Sequence, residues 1–229
     1  ALARPLEAAN KAGIPVVAYD QYISGGKLAS YLTSDNYQAG YLDGEYVASS
    51  FEDSRELKVI LVEYPHVSST VERVDGFIAA LRDAKQPYEI LKTYSAVEPV
   101  SGRKAGRQIL RDFPDVGSVD VVFTVNDGGG LAVVDELTKA KRTEIFVATI
   151  DGDPESVGII KNRGIIRIDS AQFCGAMGAE SMKTAYQILR GEAVAPHILI
   201  PVFPITRETS EMYGGWLAPI PDRFEKPWE

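Results

Sequence analysis

The sequence predicts an α/β protein with doubly wound parallel sheets, and three observations predict it. Short apolar runs of strand length recur between residues 57 and 171: LKVILVE (57–63), YEILKTY (88–94), VDVVFTV (119–125), EIFVATI (144–150) and IIRIDSA (165–171). Segments of helical period separate them, at about 70–85, 102–112, 129–140 and 154–162. The strands are apolar at nearly every position, as strands buried on both faces are, which calls for a parallel sheet covered by helices. Repeated βα units with right-handed crossovers then wind the sheet in both directions.

The flanking elements follow a different rhythm. The chain opens on ALARPLEAANKAG, the second half of a helix running into a strand at 13–19. A helix-strand pair needs a sheet to join, so further material is expected ahead of Ala1. A long helix is expected over 36–51. After the regular unit come an amphipathic helix over 175–191, closed by Gly191, and a strand over 197–203. From Gly214 on, Pro219, Pro221 and Pro227 alternate with aromatic residues, and no regular element is expected. Elements on both sides of the regular unit imply two lobes joined by several crossings of the chain. The expected division assigns 1–35 and 173–201 to the remaining part of an incomplete N-terminal lobe, and 36–172 with 202–229 to a C-terminal lobe and tail.

Composition narrows the function. The 229 residues are 45% hydrophobic, enough for a real core. The net charge is −8, with 24 basic residues scattered along the chain. Nucleic acid and anionic membranes need concentrated Lys and Arg, so neither is an expected partner. The single cysteine, Cys174, excludes an internal disulfide and reads as a small buried thiol. His66 and His197 lie far apart, without the spacing of a metal pair, and read as loop or strand-start residues. No apolar run reaches the length of a membrane span. Neither a metal nor a cofactor is expected.

In an open parallel sheet, ligands bind beyond the carboxyl ends of the strands. The residues there are unusually polar: Asp20 and Gln21 after the first strand, Tyr64 to Ser69 with Arg73, Asn126 and Asp127, Asp151 and Asp153, and Gln172. Amides, carboxylates and a guanidinium offer the paired donors and acceptors that match vicinal hydroxyls. A structural role competes at several positions, since Asp127 and Asp153 suit helix caps and Asp20 and Asp151 suit turns. Catalytic motifs fit poorly. Asp151-Gly152-Asp153 resembles the aspartate nucleophile motif of haloacid dehalogenase phosphatases, but Glu155 stands where that motif wants Thr or Val. Gly128-Gly129-Gly130 matches neither phosphate-loop pattern, and no GxSxG elbow exists. A non-enzymatic protein is expected.

The segments PLEAANKAGIPVVAYD, YLTSDNYQAGYLDGEYV, STVERVDGFIAAL, VVFTVNDGGGLAVVDEL, VATIDGDPESVGIIKNRG and GAMGAESMKTAYQILRG together resemble periplasmic sugar-binding proteins of the ribose-binding type, over residues 1 to about 210. The resemblance implies two Rossmann-like lobes, a sugar-like ligand between them, hinge closure at three crossings (Ser34 to Asn36, Ala171 to Phe173, Pro201 to Pro204), and an ABC transporter permease as partner. It implies an exported, periplasmic monomer whose signal peptide has been removed. It places Asp20 and Gln21 on the ligand from the N-terminal lobe, and Arg73 of R-x-x-G-F, Asn126, Asp151 and Gln172 from the other lobe or the hinge. There are two departures. The family's first strand, with its aromatic residue over the sugar, falls before Ala1, so these residues alone are expected to bind weakly. The position of a second aromatic corresponds to Val100, leaving Tyr64 or Tyr22 to stack on the ligand. The same fold serves LacI-type transcription regulators and receptors that feed chemoreceptors or kinases, which are the alternative readings.

Overall fold

A computed structural model describes residues 2–51, 55–222, 224 and 226–228. The elements, in chain order, are α1 (Ala3–Lys11), β1 (Val17–Tyr19), β2 (Ser30–Ser34), α2 (Asn36–Ser50), β3 (Leu57–Glu63), α3 (Ser68–Asp83), β4 (Tyr88–Ser95), α4 (Pro99–Asp112), β5 (Val121–Thr124), α5 (Asp127–Lys139), β6 (Phe146–Asp151), α6 (Pro154–Lys161), β7 (Ile166–Ala171), α7 (Cys174–Leu189), β8 (His197–Ile200) and β9 (Phe203–Thr206). A single 3-10 turn, Ser210–Met212, opens an otherwise irregular tail.

Two sheets result. The larger has the order β4-β3-β5-β6-β7-β9, and the smaller β1-β2-β8. Its alternating residues explain why the larger sheet is buried on both faces. Val59, Leu61, Val121, Phe123, Ala148 and Ile168 point to one side, against Leu42, Val47, Phe77 and Leu81 of α2 and α3. Ile60, Val62, Val122, Val147 and Ile166 point to the other, against Ile109, Val133, Leu137 and Ile160 of α4, α5 and α6. Period-2 alternation with apolar residues on both faces is what a helix-covered parallel sheet requires. Phe77 stacks on Phe123 with ring centroids 4.3 Å apart, locking α3 to the sheet centre.

Two expectations need correction, and one strand goes unannounced in the sequence. Residues 30–34 form β2, which their Ser- and Thr-rich composition does not announce; parallel partners on both sides, β1 and β8, make it a strand. The expected strand over 197–203 is two strands in different sheets, broken at Pro201 and Val202. Pro201 has no N–H for a ladder, and the chain uses the break to change sheets. Its second half, β9, runs antiparallel to β7. Cys174 is exposed, not buried, because it opens α7 where the chain leaves the larger sheet.

The chain passes between the sheets three times: from β2 to α2 over Ser34–Asn36, from β7 to α7 over Ala171–Cys174, and from β8 to β9 over Ile200–Phe203. Asp35 caps α2 by accepting from the Gln38 amide at 3.0 Å, and its own amide donates to the Ile200 carbonyl at 2.9 Å, tying the first crossing to the third. Helices α2 and α3 touch backbone to backbone. A Cβ on Gly40 would lie 1.9 Å from the Arg73 carbonyl, and one on Gly76 would lie 2.0 Å from that of Tyr37. Only glycine permits that approach, and it seats Arg73 beneath the first crossing.

Candidate functional site

The strand order changes direction at β3, which has β4 on one side and β5 on the other, so a crevice opens beyond the ends of β3 and β5. A cleft of about 260 Å³ lies there, lined by Asp20, Gln21, Tyr64, Val67, Ser69, Thr70, Arg73, Val97, Asn126, Asp151 and Gln172. Seven of the eight residues singled out from the sequence meet in it. Asp20 and Gln21 come from the end of β1, and the others from the larger sheet or from the second crossing. The Gln21 amide reaches the Ser69 hydroxyl at the start of α3 at 3.5 Å, a polar contact from one side of the cleft to the other.

Arg73, Asp151 and Gln172 form the centre. Arg73 is 4% exposed. Its Nη1 donates to the Val125 carbonyl at 2.7 Å and to Asp151 Oδ1 at 3.0 Å, and its Nε donates to Asn36 Oδ1 at 2.9 Å. Its Nη2 makes no hydrogen bond among the described residues. Gln172 Nε2 donates to Asp151 Oδ1 at 2.6 Å, while its Oε1 accepts from the Ser34 hydroxyl at 2.8 Å, so one amide spans two crossings. Asp151 has φ 140°, a strained value for a non-glycine residue. Burial pushes its carboxyl above the ordinary carboxylate range; the Arg73 charge, the Gln172 hydrogen bond and that of Arg73 pull it back.

The remaining predicted residues divide. Asn126, not Asp127, caps α5: its Oδ1 accepts from the Gly129 amide at 3.2 Å, and its Nδ2 donates to the Val97 carbonyl at 3.0 Å. The second Nδ2 hydrogen makes no hydrogen bond among the described residues. Asp153 caps α6 through the Glu155 amide at 2.8 Å. Asp20 adopts φ 65°, and its carbonyl accepts from the Tyr31 and Thr33 hydroxyls. Tyr64 packs edge-on against His66 with centroids 5.1 Å apart and lines the cleft. Tyr22 lies outside it, edge-on to Tyr31. Val100 is not brought in. It is 76% exposed, because Glu98 caps α4 through the amides of Val100 and Ser101, which turns the first helical residues outward. The apolar side chain that does line the cleft is Val97, just before the cap.

Sequence reasoning missed Asn36, Asp169, Tyr213 and Trp216. Asn36 holds the Arg73 guanidinium from the first crossing. Asp169, fully buried in mid-strand, accepts from the Gly152 amide at 2.9 Å, and burial pushes its carboxyl up to about 7. A charged residue inside the apolar run IIRIDSA was the available signal. From the tail, Tyr213 donates to the Gly152 carbonyl at 3.1 Å and Trp216 Nε1 to the Asp151 carbonyl at 2.8 Å. Chemically, the cleft is a set of fixed donors and acceptors around one ion pair. Among the described residues no group of three or more His, Cys, Asp or Glu side chains is arranged to hold a metal, and no helix is long and apolar enough to cross a membrane.

Comparison with known proteins bears on the family and the fold. The ribose import binding protein of Escherichia coli (strain K12) is 28% identical over 195 residues, covering 85% of this chain and 64% of that protein. Its counterpart from Bacillus subtilis (strain 168) is 28% identical over 204 residues, covering 88% and 64%. The chain thus spans about two thirds of the length of these relatives. Among solved structures, a galactofuranose binding protein superposes with a TM-score of 0.82 at 17% identity, covering 93% of this chain and 73% of that one. A periplasmic solute binding protein of an ABC transporter from Actinobacillus succinogenes 130z, with bound D-allose, gives 0.82 at 21%, covering 93% and 75%. These likenesses show the fold, the type I periplasmic binding fold of two Rossmann-like lobes. A family model described as "Periplasmic binding protein domain" matches residues 1–193, and the chain belongs to that family.

Proposed function

We propose that this chain is the greater part of an exported solute receptor that closes over a monosaccharide or a close derivative and passes it, unchanged, to the permease of an ABC importer. The observation that carries the reading is the junction of Arg73, Asp151 and Gln172, where a cation, an anion and an amide are fixed together beside a cleft that residues of both sheets line. In such a site, Arg73 Nη2, Asp151 Oδ2, Asp20 and the free Asn126 N–H grip vicinal hydroxyls, and Tyr64 or Val97 covers an apolar face of the ring. Residues 1–35 and 173–201 act as one lobe, and 36–172 with 202–229 as the other. The ligand bridges them and favours the closed arrangement, with the bending confined to the three crossings.

The test is a thermal-shift panel of pentoses, hexoses and polyols on the purified full-length receptor. A ligand at a hundred times its Kd adds about 2.7 kcal/mol to the folded state. One member should raise Tm and be recovered chemically unchanged; a panel without any shift, or turnover abolished by Asp151→Asn, refutes the proposal.

A further inference from the structure

The turn Asp151-Gly152-Asp153 has every inward-facing backbone group occupied by side chains or neighbouring backbone. The Gly152 amide donates to Asp169 Oδ1 at 2.9 Å, and the Asp153 amide donates to Asp127 Oδ2 at 2.7 Å. The Asp151 carbonyl accepts from the Gln172 amide at 3.1 Å and from Trp216, and the Gly152 carbonyl accepts from Tyr213. A Cβ on Gly152 would lie 2.6 Å from the Tyr213 hydroxyl and 2.8 Å from Ala171 Cβ. Such crowding explains how a residue can be held at φ 140° just before it.

The acceptors beneath the turn are the unexpected part. Asp127 and Asp169 are both buried, yet neither is paired with a cation by a salt bridge among the described residues. Asp127 does not cap its helix, since Asn126 does. Its other oxygen, Oδ1, ends a chain of hydroxyls running from Thr124 to Thr149 to Asp127, each step 2.8 Å. Asp169 Oδ2 is buried without a hydrogen bond, as is the Ser156 hydroxyl beside it. A burden of two buried carboxyls is costly for a fold unless they hold something in place. We propose that Asp127 and Asp169 are positioning residues for ligand binding: they fix the 151–153 turn from below so that the Asp151 carboxyl faces Arg73, Gln172 and the cleft. The proposal rests on Asp151 contacting the ligand, as set out above.

The two carboxyls interact directly, and burial raises both, so a proton held between them removes the need to bury two charges. The titratable groups facing the pair are Asp43 from α2, Asp151 from β6, and Tyr213 from the tail. The Gly152 and Asp153 amides favour the ionised acceptors and so oppose the rise that burial causes.

The test compares Asp127→Ala and Asp169→Ala with Asp127→Asn and Asp169→Asn, which keep an acceptor oxygen. Backbone amide exchange at Gly152 and Asp153 is read by NMR, and binding of D-ribose, D-allose and D-arabinose by calorimetry. Asp169→Ala should speed exchange at Gly152, and Asp127→Ala at Asp153, by at least about tenfold. Binding should weaken by about tenfold to a hundredfold, the loss expected for a hydrogen bond to a charged group. The Asn variants should restore slow exchange and most of the affinity. Alanine variants that fold with the original exchange and affinity overturn the proposal. If the alanine variants do not fold, Asp127→Glu and Asp169→Glu decide instead: by displacing the acceptor oxygen they should speed exchange at Asp153 and Gly152 respectively and weaken binding, and unchanged exchange with unchanged affinity overturns the proposal. If the unaltered protein binds none of the three sugars, the sugar-receptor reading loses its support, while amide exchange still decides whether the brace exists.

Discussion

Replacing Arg73 by alanine tests the centre of the site most directly. The substitution strips a donor from three acceptors: the Val125 carbonyl, Asn36 Oδ1 and Asp151 Oδ1. Removing one partner of a buried ion pair costs about 3–5 kcal/mol, chiefly because the remaining charge is left in a poorly solvated place. The two other acceptors add to the loss, and water entering the enlarged cleft offsets part of it, so about 4 kcal/mol is a reasonable central figure. For a domain of this size that corresponds to a fall in Tm of roughly 8–16 °C. The direction with pH is also fixed. Burial already raises the Asp151 carboxyl, and loss of the guanidinium raises it further. A carboxyl whose folded pKa exceeds its unfolded value stabilises most below the unfolded pKa and loses that contribution as pH rises through the folded one. The deficit of Arg73→Ala should therefore be smaller at pH 5 than at pH 8, and a second change, Asp151→Asn, should recover much of it. The assay is denaturant unfolding at both pH values across the four members of the double-mutant cycle. An Arg73→Ala protein within about 1 kcal/mol of the original at pH 8 would refute the reasoning, since it would place the pair in solvent-like surroundings.

Three further outcomes follow from the same geometry. Asp169, pushed up to about 7, binds its proton more tightly folded than unfolded, so stability should fall by up to about 1.4 kcal/mol per pH unit between pH 4 and 7, and Asp169→Asn should flatten that slope in a pH series of unfolding curves. Gly76→Ala should lower stability by about 3 kcal/mol or more by forcing α3 off α2, whereas Gly158→Ala, where an added Cβ meets nothing within 4 Å, should be neutral or slightly stabilising; calorimetry separates the two. Val100→Asp should leave stability within about 0.5 kcal/mol and ligand affinity unchanged, while Val97→Asp should weaken binding, as titration calorimetry would show.

The parts of this molecule legible in its sequence are those whose environment is local and repetitive. Strands β3 to β7 announce themselves because burial on both faces demands apolar residues at consecutive positions, and Asp151 and Gln172 stand out as polar residues directly after such strands, with Arg73 on the helix that follows β3. Strand β2 escaped because what makes Ser30–Ser34 a strand is pairing with β8, far along the chain. The one-turn error that chose Val100 over Val97 has a similar origin: the cap at Glu98 decides where α4 begins and hence which way each side chain points. Asp169 was visible as an anomaly in an apolar strand, but its partner, the Gly152 amide, comes from a neighbouring strand's turn. Asn36 looks like any helix start until α3 is laid against α2.

The tail bears on how the molecule can be observed. Tryptophan occurs twice in the sequence. Trp228 packs against Tyr46 with centroids 5.0 Å apart. Trp216 spans a junction: its indole donates to the Asp151 carbonyl, and its own carbonyl accepts from the Gly175 amide at the start of α7. Any rearrangement of that junction must alter the indole's surroundings, so ultraviolet emission from Trp216 supplies a native optical gauge, with Trp228→Phe leaving a single emitter and no dye required.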